Sequence, residues 1–224
     1  MARKKNEVPV LSVVTNPPVA LVEAAPRSEL RLDLGSGQRT KEGFEGVDLH
    51  GDAKHRVNLW KFPWPFADNS VTEIHCSHFL EHIPSREVEE RDITTSLKES
   101  ERKAAVARYV GVDMLCAFMD ECWRILKPDA WMTAIVPSAR SNRAFQDPTH
   151  RRYFVQESFL YFNRDWRQMN GLDHGYLGKC NFGVEVPYSL PSEEGLRAPE
   201  VQSRRFHECW NVTIDWHAKL KKLL

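Results

Sequence analysis

The chain has 224 residues, 42% of them hydrophobic and 28% charged, enough for one domain with a complete core and ordinary for a soluble globular protein. Its 31 basic and 31 acidic side chains cancel, so it lacks the basic excess of a general phosphate-backbone binder, and charge gives no support for attachment to a membrane surface. Five cysteines, at 76, 116, 122, 180 and 209, show no Cys-x-x-Cys spacing, and no apolar run is long enough to span a membrane or compact enough for a signal core. Reduced thiols and a cytoplasmic location are therefore expected.

Residues 1–28 mix Pro9, Pro17, Pro18 and Pro26 with small and charged residues, which disfavours regular structure and predicts a flexible amino-terminal arm before a domain over 29–224. The first strand is the alternating run Leu30, Leu32, Leu34, and it leads into Gly35-Ser36-Gly37, where glycines permit a sharp turn and close backbone approach to a ligand. A second strand, Gly43–Leu49, delivers the carboxylate of Asp48 beside that turn, where it can accept hydrogen bonds from both hydroxyls of a ribose. A dinucleotide fingerprint does not fit. Thr40 stands where the third glycine belongs, and Asp48 follows Gly37 by eleven residues rather than about twenty, so the first crossover helix must be very short or missing.

Next come Arg56-Val57-Asn58-Leu59, the loop Phe62–Ser70, the strand Val71–Cys76 and the segment Ser77-His78-Phe79-Leu80-Glu81-His82-Ile83. Between Ser85 and Arg108 the chain is densely charged. Arg86 with Glu90, Glu87 with Arg91 and Glu99 with Lys103 stand at helical spacing, which predicts an inserted, solvent-exposed helical element. From Met114 to Leu126 the apolar positions share one helical face, and Pro128 follows as a stop before the strand Trp131–Val136. The region 138–180 then sets arginines 140, 143, 151, 152, 164 and 167 among aromatics, as a lid with an Asp-Pro-Thr-His turn at 147–150. Phe182–Val186 and Cys209–Trp216 read as a closing antiparallel pair of strands.

In the order of these elements, residues 29 to 137 resemble the class I S-adenosylmethionine-dependent methyltransferases, with Leu80-Glu81-His82 similar to the helix start of their small-molecule branches. The resemblance implies a three-layer, Rossmann-like α/β fold with a seven-stranded sheet and S-adenosylmethionine as cofactor. It places Asp33, Gly35, Ser36 and Gly37 at the cofactor's methionine end and Asp48 with Leu49 at the ribose. Asn58 and Leu59 fall beside the adenine, and His78 near the cofactor's tail. Asp33 also suits a strand-end cap for the next loop, and Asn58 replaces a common acid. Asn16-Pro17-Pro18-Val19 is similar to the Asn-Pro-Pro-aromatic motif of amino-methylating DNA enzymes but lacks the stacking aromatic, and reads as a proline-stiffened loop.

His82 and His150 are the candidate general bases, and Arg151 and Arg152 the candidate clamp for an acceptor's carboxylate or phosphate. His78 and His82 would share a face if a helix begins at 78, yet His-Phe-Leu-Glu-His lacks the His-Glu-x-x-His spacing of a zinc site, so no metal is expected. The reading favours methyl transfer to an oxygen or nitrogen of a small or glycan-like anionic acceptor. A nucleic-acid or nucleotide acceptor and an inactive cofactor-binding partner protein are the alternatives.

Overall fold

A computed structural model describes residues 29–172 and 178–224; the expected arm and its Asn-Pro-Pro segment lie outside the described residues, as does part of the expected lid. Seven strands form one sheet: β1 Arg31–Leu34, β2 Glu45–Asp48, β3 His55–Arg56, β4 Val71–Ser77, β5 Leu126–Pro137, β6 Phe182–Glu185 and β7 Asp215–Lys222. Their order is β3-β2-β1-β4-β5-β7-β6, the first five parallel and β7 antiparallel between β5 and β6, as the resemblance implies. The strand order reverses beside β1, so the carboxyl ends of β1, β2 and β4 open onto one crevice.

The sheet alternates as its period of two demands. Leu32 and Leu34, Ile74 and Cys76, Met132 and Ala134, and Ala218 and Leu220 are buried on one face. Helix α2, Met114–Ile125, adds Ala117, Phe118, Cys122 and Ile125 to the same core; Asp113 caps it by accepting from the Leu115 amide at 2.9 Å. The other face is polar, with Arg31 paired to Glu73 at 2.5 Å, and with Glu73, Trp131, Thr133, Glu185 and Lys219 around an open depression of about 450 Å³. The β1–β2 and β2–β3 connections contain turns and no helix, in line with the short spacing between Gly37 and Asp48.

Two expected elements differ. Only Glu99–Tyr109 of the charged insert is helical (α1), with its Glu99–Lys103 pair at 3.5 Å; residues 85–98 wind through a 3₁₀ turn at Glu90–Asp92. There Arg86 holds Asp92 at 2.6 Å instead of Glu90, Ile93 bridges to Phe62, and the β-branched run Ile93-Thr94-Thr95 favours extended backbone. The last strand is Asp215–Lys222, not 209–216: Asn211 takes a left-handed turn (φ 60°), and Pro199–Glu208 before it is a helix. Lys222 disguised that strand, for it is buried and donates to Asn69 Oδ1 at 2.7 Å and Leu126 O at 2.8 Å, while burial lowers its pKa. Among the described residues no helix is long and apolar enough to cross a membrane, and all five cysteines are free thiols.

Candidate active site

The turn after β1 is built on left-handed glycines, φ 71° at Gly35 and 55° at Gly37. They serve different ends. A Cβ on Gly35 would lie 2.6 Å from Phe79 Cγ, whereas one on Gly37 would meet nothing within 4 Å, so the turn presses on Phe79 at one glycine and leaves open room at the other. Asp33, 4% exposed, accepts from the Lys41 amide at 2.8 Å and meets His75 Nδ1 at 2.8 Å, so one oxygen holds the loop that replaces a crossover helix and the other is engaged by the side chain of the neighbouring strand β4. The Ser36 hydroxyl faces the Gly46 backbone, where it is buried without a partner, and offers the crevice no donor.

Asp48 stands at the end of β2 with one oxygen accepting from the Gly37 amide at 2.9 Å and the other from the His50 amide at 2.8 Å. Each oxygen keeps a further lone-pair direction free. It lines a cavity of about 180 Å³ with Leu49, Asn58 and Leu59, which the sequence singled out, and with His50, Val57, Trp60 and Phe79, which it did not. Asn58 Oδ1 accepts from the Trp60 amide at 2.9 Å, turning the chain so that the indole stacks on Phe79 at 5.0 Å and 12°. Two aromatics close behind Asn58 and His78 were the available signal for this wall.

Beyond β4, His78 is itself left-handed (φ 52°), its amide bonded to Ile135 O at 2.8 Å. Its Nδ1 lies 3.3 Å from Glu81 Oε1, and that hydrogen bond raises its pKa above the ordinary imidazole value against the opposing pull of burial. Glu81 is 1% exposed, and its Oε2 has no partner. Leu80–His82 forms a single 3₁₀ turn, too short to set His78 and His82 on one helical face. His82 instead meets His150, with ring centroids 4.8 Å apart and planes at 76°. His82 Nδ1 is 3.0 Å from Thr149 Oγ1, and His150 Nδ1 is 2.8 Å from Ala144 O.

The backbone of the Asp-Pro-Thr-His turn is fastened here, because the amides of Arg151 and Arg152 both donate to Glu81 O, at 2.7 and 3.0 Å. The Arg152 guanidinium is spent on Ile83 O, Pro84 O and, at 2.9 Å, the Asp113 carboxylate; it ties the turn to the start of α2 and does not stand open as an anion clamp. Arg151 is exposed and donates to Pro148 O at 3.0 Å. Arg140 and Arg167 likewise donate to carbonyls, at Phe206 and Tyr161. The same region exposes aromatics: Phe145, Tyr153 and Trp210 are each at least half exposed, with Phe145 stacked between the other two at 4.6 and 6.0 Å.

No known protein-family model and no curated protein sequence matches this chain. Solved structures do. A SAM-dependent methyltransferase from Archaeoglobus fulgidus is 15% identical with a TM-score of 0.51, over 88% of this chain and 87% of that one. SAM-dependent methyltransferases from Methanosarcina mazei (13% identity, TM-score 0.44, 88% and 94% covered) and Mesorhizobium loti (12%, 0.40, 88% and 94%) are also similar. At such identities the likeness is one of fold: the seven-stranded sheet and its strand order are those of the class I methyltransferases.

Proposed function

We propose that the protein is an S-adenosylmethionine-dependent methyltransferase acting in the cytoplasm, and that it methylates an oxygen or nitrogen of a small or glycan-like anionic acceptor. The observation that carries the reading is Asp48, a carboxylate at the end of β2 that lines the cavity beside a left-handed glycine turn. The residues fit the cofactor. Asp48 has lone pairs left for two ribose hydroxyls, the stacked Trp60 and Phe79 offer an apolar wall to the adenine, and the open side of Gly37 leaves room for the remainder.

S-adenosylmethionine supplies a methyl group on a sulfonium that departs neutral. The protein's own work is then to bind, align and hold protons. The exposed stack of Phe145, Tyr153 and Trp210 suits a planar ring or a sugar face, and Arg151 together with Arg143, 44% exposed and 2.9 Å from Asp215, supports negative charge on the acceptor. His82 and His150 each have Nδ1 engaged, which leaves each Nε2 free either to take a proton from the acceptor or to bind a ligand.

Asp48→Ala is expected to weaken S-adenosylmethionine binding by about 1 to 3 kcal/mol, since two hydroxyls lose their acceptor. Calorimetry on both proteins measures this, and unchanged affinity in the variant would remove Asp48 from the site. A labelled-methyl screen then tests the acceptor: incorporation into metabolite or glycan pools is expected, and incorporation confined to nucleic acid would overturn the acceptor class.

A further inference from the structure

We propose that Glu81, His82 and His150 form a binding site for one divalent transition-metal ion. One potential ligand atom from each of the three lies within 4.8 Å of the others. The bonds already made decide which atoms are free to bind an ion. Ala144 O can only accept, so His150 Nδ1 carries the hydrogen and its Nε2 lone pair is free. Thr149 donates its hydroxyl hydrogen to Asp147 Oδ1 at 2.7 Å and must accept from His82 Nδ1, which frees His82 Nε2 in the same way. Glu81 Oε1 faces His78, and Oε2 is the buried oxygen with no partner.

Three features make this more than proximity. A carboxylate oxygen withdrawn from water with no hydrogen bond is costly, and a cation in contact with it removes that cost. Both imidazoles are oriented through Nδ1 by an oxygen acceptor, the arrangement that fixes the tautomer and strengthens Nε2 as a ligand. The backbone ties from Arg151 and Arg152 to Glu81 O hold the ligand contributed by the distant turn against the other two. Around an ion with bonds of about 2.1 Å the ligand atoms would stand about 3.4 Å apart, so small side-chain rotations close the triad.

Two imidazoles and one carboxylate select zinc, cobalt, manganese or iron(II) over calcium and magnesium, which take oxygen ligands. Three protein ligands leave coordination positions open, the pattern of a site that takes a substrate atom. Resting on the methyltransferase reading, the substrate atom is the acceptor's oxygen: coordination lowers its pKa, and its proton leaves to water. The two histidines then hold the metal and do not themselves take the proton.

The test begins with the full chain stripped by a chelator and dialysed, then titrated with Zn²⁺ and separately with Co²⁺, followed by calorimetry and by the visible absorption of cobalt. One equivalent per chain is expected, with Glu81→Gln and His150→Ala each weakening binding at least tenfold while thermal unfolding stays cooperative. Should His150→Ala fail to fold, His82→Gln serves in its place. Absence of saturable binding, or equal affinity in wild type and variants, overturns the site. Because no cofactor is present in this titration, its outcome is independent of the S-adenosylmethionine calorimetry on Asp48→Ala. Metal binding without cofactor binding sinks the methyltransferase reading alone, and the reverse sinks the metal site alone.

Discussion

Gly35→Val is expected to abolish measurable S-adenosylmethionine binding and to lower stability at the same time. A β-branched residue at φ 71° carries roughly 1 to 3 kcal/mol of backbone strain, and its Cβ would overlap the Phe79 ring, 2.6 Å from Cγ. Phe79 has nowhere to go without loss: it stacks on Trp60 and lies tilted against Phe118 at 5.8 Å. Displacing it removes one wall of the cavity that Asp48 lines. Gly37→Val separates strain from collision, since that position is left-handed but open. It should weaken binding with a smaller drop in thermal midpoint. Calorimetry and thermal unfolding on both variants decide the matter; a Gly35→Val protein with wild-type affinity would mean that the turn and Phe79 do not shape the cofactor site.

Glu121→Ala should be the most destabilising single change in the core, by about 3 to 5 kcal/mol. Glu121 is fully buried and accepts from the Trp64 amide at 2.6 Å, from Arg124 Nε at 2.9 Å and from the Tyr109 hydroxyl. It therefore joins α2 to α1 and to the loop after β3. Burial, followed by the neighbouring Glu121 charge, pushes the Tyr109 pKa far up, so that hydroxyl stays protonated and donates. Without Glu121 the hydroxyl and an amide are stranded and Arg124 keeps Asp68 and Trp64 O as its contacts. For a domain of this size the loss corresponds to roughly 6 to 20 °C in thermal midpoint. A shift within a degree or two would show that the network adds nothing to the fold.

The sheet and the position of the Asp48 carboxylate beside the glycine turn were legible in the sequence because both rest on local pattern. Glycines at a strand exit and an acid at the next strand end are close in the chain, and the short interval between them already foretold a crossover without a helix. The strand pattern failed at the carboxyl end, where Trp210, Val212 and Ile214 alternate convincingly but lie outside any strand. The true β7 buries a lysine through hydrogen bonds that no hydropathy pattern records. Charge spacing failed over 85–98 because Arg86 and Asp92 pair across a turn, a contact that helical spacing does not describe. The meeting of His82 with His150 was hidden for a different reason. It is a tertiary contact across a long stretch of chain, and each histidine alone looks like an isolated base. Of the two arginines expected as an acceptor clamp, Arg152 has its donors on loop carbonyls and the Asp113 carboxylate, a tertiary arrangement that no local pattern announces.

The polar face of the sheet bears on how copies of this protein behave toward each other. A molecule with no net charge has little long-range repulsion to keep it dispersed, and a sheet face over which the described residues place no helix invites stacking. Among the described residues, Arg31, Glu73, Glu185 and Lys219 set alternating charges across that face. Pressing two such faces together would strip water from these ions at a cost of several kcal/mol per ion. Self-association by this route is thus opposed locally, by where the charges sit, in a protein whose total charge contributes nothing to keeping it in solution.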